Sequence, residues 1–333
     1  MNIKRKLYEM ALELHLEEVI LTLYGTPCNI KLKTINRDKF DFFNVVMKKY
    51  SSLLKTFLST GNRNISFFLT PFWTKEFEII KDELISNLNI NFLRNKVLAR
   101  TISVHSFPII ISIEGKSYLR YIQQYGKNEV SHFLIEDGIG KPFIISLKNC
   151  SSFVRIQHIY HLVKYCNETG NKTSDINSII EWGGGYGDMA TILARLNTNL
   201  TYTIIDHPYM SALQYIYAAS VLKSTDRLNI VPYSGNIKKG YINFISLNNL
   251  DINRDYSAEM FISTFALTES NENSLDTVIN HNFFNADKIL IAYQSSNNDV
   301  PFGLKYSEII SAKYKVRKIP ISSVRDFDYY LLK

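Results

Sequence analysis

Two hydrophobic periodicities divide the chain. From about Ile179 onward, short β-branched runs alternate with stretches whose apolar residues recur every three or four positions. That is the order of an open, mostly parallel α/β sheet. The pattern predicts a strand around Ile179, a helix from about Asp188 to Leu196, a strand at Tyr202–Asp206, a helix from Tyr209 to about Leu222 and a strand at Asn229–Tyr233. Glu259–Thr264 and Lys288–Gln294 read as further strands, with a helix near Asn273–Phe284 between them. Lys315–Pro320 and Asp328–Leu332 lie close enough in sequence to form a hairpin, its last strand inserted antiparallel into the sheet.

The first part of the chain has a different period. Asp38–Ser59, Thr74–Leu88 and Gly115–Phe133 carry apolar residues at helical spacing, separated by Asn-rich loops. Residues 1–150 are therefore expected to form a mainly helical cap, used for substrate choice or oligomerisation, and residues 151–333 the α/β domain. A helix over Ser152–Asn167 joins them, with Phe153, Ile156, Ile159, Tyr160, Val163 and Cys166 as its apolar stripe. His158, His161 and Tyr165 cluster on the opposite face, expected to meet solvent, the alternative being a cleft between cap and sheet. Just upstream, Glu136-Asp137-Gly138-Ile139-Gly140-Lys141-Pro142 forms a loop with enough glycine to approach a ligand closely.

Composition narrows the function classes. With 333 residues and 46% hydrophobic content, the chain can bury a large core in two units or one extended one. Cys28, Cys150 and Cys166 have neither metal spacing nor an even framework, which suits a reducing compartment. Lys4, Arg5 and Lys6 resemble the start of a secretion signal, but Glu9, Glu13, His15, Glu17 and Glu18 break the apolar stretch that should follow. No apolar run is long enough to span a bilayer, so a cytoplasmic protein is the expectation. The net charge of +7 is dispersed along the chain, without the basic stripe interleaved with aromatics that nucleic-acid binding favours.

Ser178–Leu196 carries the chemistry. An apolar strand ends in Glu181 and runs into a turn containing Gly183, Gly184, Gly185 and Gly187, which opens the next helix. Glycines here allow a tight strand-to-helix turn and let a ligand touch main chain. The dinucleotide fingerprint fails, because Asp188 stands where its third glycine belongs. An acid at the lip would repel a pyrophosphate but suits a ligand presenting an ammonium group, such as the methionine half of S-adenosylmethionine. Asp206 closes the following strand about 20 residues on, where a ribose-hydroxyl acceptor sits in nucleotide sites.

The spacing Glu181-x-Gly183-x-Gly185-x-Gly187 together with Asp206 resembles the first two cofactor motifs of class I S-adenosylmethionine-dependent methyltransferases. Ile180-Glu181-x-Gly183-Gly184-Gly185-Tyr186-Gly187, Tyr202-x-Ile204-Ile205-Asp206-x-Pro208 and Leu213-Gln214-Tyr215-x-Tyr217 are more narrowly similar to the bacterial sugar O-methyltransferase family, over roughly Phe143 to Gln294. The resemblance implies a Rossmann-like sheet, S-adenosylmethionine as cofactor and a hydroxyl of a sugar, in a nucleotide sugar or a surface glycan, as acceptor. It implies that Glu181, Gly183, Gly185 and Gly187 hold the methionine moiety, with Gly184 and Tyr186 also binding the cofactor, Asp206 the ribose, and Ser234, Gly235 and Asn236 the adenine amino group. Ser263, Thr264 and Phe265, after the fourth strand, complete the implied cofactor set. His207 departs from the apolar residue common there; it either stacks near adenine or is exposed, the second being expected.

Methyl transfer to a hydroxyl needs in-line alignment and removal of a proton. An imidazole can take that proton near neutral pH, which makes His158 or His161 the first candidate base. Glu269 is the second, with binding of an acceptor hydroxyl or a helix-terminal role as its alternatives. A divalent ion could acidify the acceptor instead, but no His/Asp/Glu cluster shows ligand spacing. The turn after the fourth strand lacks the Asn/Asp-Pro-Pro-aromatic signature of base methylation, so no nucleic acid is expected as partner. A small-molecule methyltransferase, or a cofactor-binding module of a glycan-assembly complex without turnover, stays open, and a homo-oligomer is compatible with the sequence.

Overall fold

The computed structural model describes residues 27–59, 64–86, 88–103, 108–126, 130–294, 310, 317–321 and 328–333. The charged amino-terminal stretch from Lys4 to Glu18 and the first residues of the strand expected at Lys315 lie outside them.

The predicted helix over Asp38–Ser59 is two helices, α1 (Arg37–Met47) and α2 (Tyr50–Ser59), which bury Phe40, Phe43 and Val46, and Tyr50, Leu54 and Phe57. The break at Lys48-Lys49 re-aims the second apolar face. The next two helices are α3 (Pro71–Ser86) and α4 (Pro108–Tyr125). The joining helix, α5 (Phe153–Thr169), starts at Ser152, whose side chain accepts a hydrogen bond from the Arg155 amide, and stops at Gly170 in the left-handed region, φ 76°. Helix α4 packs along it, with Tyr118 stacked on Tyr160 at 4.1 Å.

The expected exposed face of α5 does not exist. His161 and Tyr165 are fully buried, because that face packs on the last strand: His161 Nδ1 is bonded to the Tyr330 hydroxyl, and the Tyr165 hydroxyl donates to the Lys333 carbonyl.

The sheet strands are β1 (Ser178–Trp182), β2 (Thr201–Asp206), β3 (Leu228–Ile230), β4 (Ile242–Ser246), β5 (Met260–Thr264), β6 (Lys288–Gln294), β7 (Arg317–Pro320) and β8 (Asp328–Leu332). Among the described residues they form an eight-stranded sheet in the order β3-β4-β2-β1-β5-β6-β8-β7. The first six run parallel, and β8 is antiparallel to both β6 and β7. This is the Rossmann-like sheet with an antiparallel terminal strand that the pattern predicts. Helices α6 (Asp188–Leu196) and α7 (Pro208–Leu222) follow β1 and β2, while α8 (Ala266–Glu269) and α9 (Glu272–Asn280) follow β5. The chain reverses direction across the sheet between β1 and β5, and ligands of open α/β sheets bind at the carboxyl ends of strands beside such a reversal.

Strand β4 is a correction to the sequence reading. It lies between β2 and the Asn229 strand, displacing β3 to the edge. Its apolar alternation is hidden by Asn243, fully buried yet bonded to the Asn229 side chain and to the Lys238 and Tyr241 carbonyls.

One buried cluster runs without interruption from Phe40, Tyr50 and Phe57 through Tyr160 and Leu213 to Tyr202 and Tyr330, so helices α1, α2 and α4 share a core with the sheet. Helix α7 is the seam, since α1 and α2 both lie on it. Cys28 and Cys150, far apart in sequence, meet in a small separate cluster with Leu32 and Ile144. After α9, Asn282, Phe283, Phe284 and Asn285 all take φ between 51° and 56°, a left-handed turn held by burial of the two phenylalanines. No described helix is long and apolar enough to cross a membrane.

Candidate active site

The turn after β1 is shaped by its glycines. A Cβ on Gly183, at φ 78°, would lie 2.0 Å from the Ala266 Cβ. Gly185 takes φ 55° and has open space where a Cβ would project. The turn is tied to β2 by the Gly184 N–H, which donates to Asp206 Oδ2 at 2.9 Å, and by the Gly183 N–H, which donates to the Ile205 carbonyl at 3.0 Å. Asp206 also accepts from Gln214 Nε2 at 2.6 Å and from the His207 amide at 2.7 Å. Its loss of solvent outweighs these bonds and pushes its carboxyl up to about 7.

Glu181 lies beneath the turn, 1% exposed, accepting from the Tyr202 hydroxyl at 2.9 Å. Burial pushes its carboxyl up to about 8, with the Asp206 charge adding to the rise. A buried carboxyl at the floor of a cavity lacks only a counter-cation. Those two carboxyl acceptors, with the open space at Gly185, fit an amino-acid ammonium and a ribose.

A buried charge hub supports the other side. Helix α5 carries Arg155 and, one turn later, His158; Asp188 opens α6. Asp188 Oδ2 lies 2.9 Å from His158 Nδ1, while its Oδ1 lies 2.7 Å from Arg155 Nη2 and accepts from the Tyr217 hydroxyl at 3.0 Å. Burial alone would raise the Asp188 carboxyl, but Arg155 and His158 hold it below its usual value. Arg155, fully buried, also pairs with Asp137 at 2.7 Å, and Asp137 in turn binds Lys39 at 2.6 Å and Arg195 at 2.9 Å. The hub thus ties together α1, the Glu136-Asp137 loop, α5, α6 and α7.

Arg155→Met should lower folding stability by about 3–5 kcal/mol, because Asp188 and its neighbouring carboxylates would stay buried with less positive charge. Urea denaturation measures the change, and a loss below about 1 kcal/mol would contradict the hub's role.

A single cavity collects most of the predicted residues. Glu181, Gly183, Gly184, Gly185, Tyr186, Asp206, His207, Thr264, Phe265, Glu269 and His158 all line it. Phe265 sits there at φ 74°, a conformation bulky residues avoid. His207 is 5% exposed rather than open to solvent: it stacks on Phe77 at 3.7 Å, and burial lowers its imidazole to about 3.

Five other predicted positions lie outside the cavity lining in two groups, and a sixth stands alone. Ser234, Gly235 and Asn236 follow the edge strand β3, where the Gly235 carbonyl and the Asn236 side chain accept hydrogen bonds from Arg254; Leu247, after β4, reaches the cavity instead. Gly187 caps α6, and Ser263 Oγ donates to the Trp182 carbonyl behind the wall. His161 is held neutral by burial, far below the usual imidazole range, and stands behind Phe265 at 6.1 Å between rings.

The sequence reading missed Asp188, Arg155 and Gln157, and the wall that Phe68, Trp73 and Phe77 contribute from the amino-terminal region. A lone arginine in the apolar stretch of α5, following a Glu-Asp pair, was the available signal for the hub. Among the described residues, no group of three or more His, Cys, Asp or Glu side chains is arranged to hold a metal ion.

No protein-family model matches the chain. No curated protein matches it either. Among solved structures, the chain is similar to magnesium protoporphyrin IX methyltransferase from Synechocystis PCC 6803 with bound SAM, at 14% identity and a TM-score of 0.37, over 69% of this chain and 98% of that one. It is also similar to an O-methyltransferase family protein from Burkholderia thailandensis, at 14% identity and a TM-score of 0.34, over 72% and 76% of the two chains. An O-methyltransferase family 2 protein from Planctomyces limnophilus in complex with apigenin is similar at 12% identity and a TM-score of 0.32, over 46% and 49%.

Proposed function

We propose that the protein is an S-adenosylmethionine-dependent O-methyltransferase acting on a hydroxyl of a sugar. The reading is carried by one juxtaposition: His158, oriented by Asp188, opens into the same cavity as Glu181, Gly185 and Asp206. Glu181 would hold the ammonium of the cofactor's methionine half, Asp206 would accept from its ribose hydroxyls, and His207 and Leu247 would face its base. S-adenosylmethionine, when bound, supplies an activated methyl group. The Asp188 carboxylate accepts Nδ1–H of His158, which leaves Nε2 free to accept a proton. That nitrogen would take the acceptor hydroxyl's proton while the oxygen bonds to the methyl carbon and the carbon–sulfur bond breaks, the electron pair staying on sulfur as S-adenosylhomocysteine leaves. Residues 1–150 choose the acceptor, since Phe68, Trp73, Phe77, Thr101 and Ile102 reach the cavity from that part of the chain.

That aromatic wall also favours a second reading, a phenolic small molecule as acceptor. Incubation with methyl-labelled S-adenosylmethionine and separate pools of glycosides, glycans, phenols and RNA distinguishes the two. Label in the sugar pools is the expected result, label confined to phenols supports the second reading, and label confined to RNA overturns both.

Cofactor binding should release a proton. Below about pH 8 the empty site holds Glu181 protonated, and an ammonium beside it draws the carboxyl into its charged form. Affinity should therefore rise between pH 6 and pH 7.5, approaching tenfold per unit. Titration calorimetry in buffers of different ionisation enthalpy counts the proton, and a Glu181→Gln variant should show none from this position.

A further inference from the structure

We infer that Gln157 reads the acceptor: its amide holds a neutral hydroxyl beside the one that is methylated, so the substrate is an uncharged sugar unit rather than a sugar phosphate or nucleotide sugar. The inference rests on the O-methyltransferase reading. Gln157 immediately precedes His158 on α5, lines the same cavity and is only 7% exposed. The other polar side chains around it on this helix are committed: Arg155 to Asp137 and Asp188, His158 to Asp188, His161 to Tyr330. Gln157 alone of the four makes no side-chain hydrogen bond among the described residues, and the little surface it keeps opens to the cavity. An amide in a cavity wall with no protein partner is available to a polar ligand group.

An amide offers donors on nitrogen and an acceptor on oxygen, so it matches a hydroxyl, which both donates and accepts. Val154, one turn earlier, and Phe265 opposite give the adjoining wall an apolar character suited to the C–H face of a sugar ring. Electrostatics sets the charge of the acceptor. The described lining holds the carboxyls of Glu181, Asp206 and Glu269 and no Lys or Arg. A phosphate would find no Lys or Arg there to receive it, and Glu269 is a carboxyl outside the set assigned to the cofactor.

The test uses the full chain with methyl glycosides of glucose, mannose and galactose and with UDP-glucose as probes, against labelled S-adenosylmethionine. Wild-type protein should label at least one methyl glycoside and leave UDP-glucose unlabelled. Gln157→Leu should raise KM for that glycoside more than tenfold, with cofactor Kd by calorimetry within twofold of wild type. Gln157→Glu, which keeps the shape but loses the N–H donors, should also raise KM. Unchanged KM in both variants, preferential labelling of UDP-glucose, or no label in any glycoside overturns the inference. If wild-type protein fails to bind the cofactor, the methyltransferase reading itself falls. Cofactor binding with normal turnover in both variants removes Gln157 alone.

Discussion

Replacing His158 by alanine is expected to lower kcat about 10²- to 10⁴-fold, the usual contribution of a positioned general base. Cofactor affinity should stay within about twofold, since His158 pairs with Asp188 rather than with Glu181 or Asp206. The fold should tolerate the change because Asp188 keeps Arg155 and Tyr217 as partners. Among the described residues, no second imidazole can step in. His161 is fully buried, bonded to Tyr330 and absent from the cavity lining, and His207 is stacked on Phe77 and held neutral. Glu269 is the lining carboxyl not assigned to the cofactor, so it sets the residual rate. Single-turnover measurements with labelled cofactor read the chemical step directly. A kcat within threefold of wild type would remove His158 from the mechanism and promote Glu269.

Gly185→Asp should weaken cofactor binding about 100-fold or more, equivalent to roughly 2.7 kcal/mol. The glycine's left-handed φ of 55° is one that aspartate tolerates, and open space surrounds the position of an added Cβ, so the variant should fold. The cost falls on the ligand instead. A carboxylate projecting from the turn occupies the space where main chain would meet the cofactor, and it adds negative charge near Glu181 and Asp206. Circular dichroism establishes that the variant is folded, and titration calorimetry measures the loss. Unchanged affinity in a folded variant would place the cofactor elsewhere.

The strands and the glycine turn were legible because their signals are local. Glu181, the glycines and Asp206 sit at fixed offsets along β1 and β2, and backbone requirements alone dictate the residue types. Strand β4 was hidden because Asn243 interrupts its apolar run; the pairing that makes a buried Asn acceptable comes from Asn229 and from a carbonyl-rich turn at Lys238 and Tyr241. With β4 unread, the Ser234-Gly235-Asn236 turn was assigned to a strand that is in fact the sheet edge. Helix α5 misled for a related reason. An amphipathic reading assumes one wet face, yet α4 covers one side and β8 the other, so His161 is sealed by Tyr330 from 169 positions away. His158 escapes that fate because its neighbour is the end of α6 rather than a strand. Long-range partners of this kind leave no trace in periodicity.

The Arg155 hub constrains how the acceptor pocket can be re-engineered. Grafting another protein's first 150 residues onto this sheet would bring a new aromatic wall but discard Lys39, Glu136 and Asp137, leaving Arg155 with Asp188 alone and Arg195 without the carboxylate it pairs with. Chimeras that keep the loop at 136–137 with α5 and import only the α3 segment, together with Ala99–Ser103, leave every one of those pairs intact. The fold therefore offers a modular specificity element smaller than its amino-terminal half.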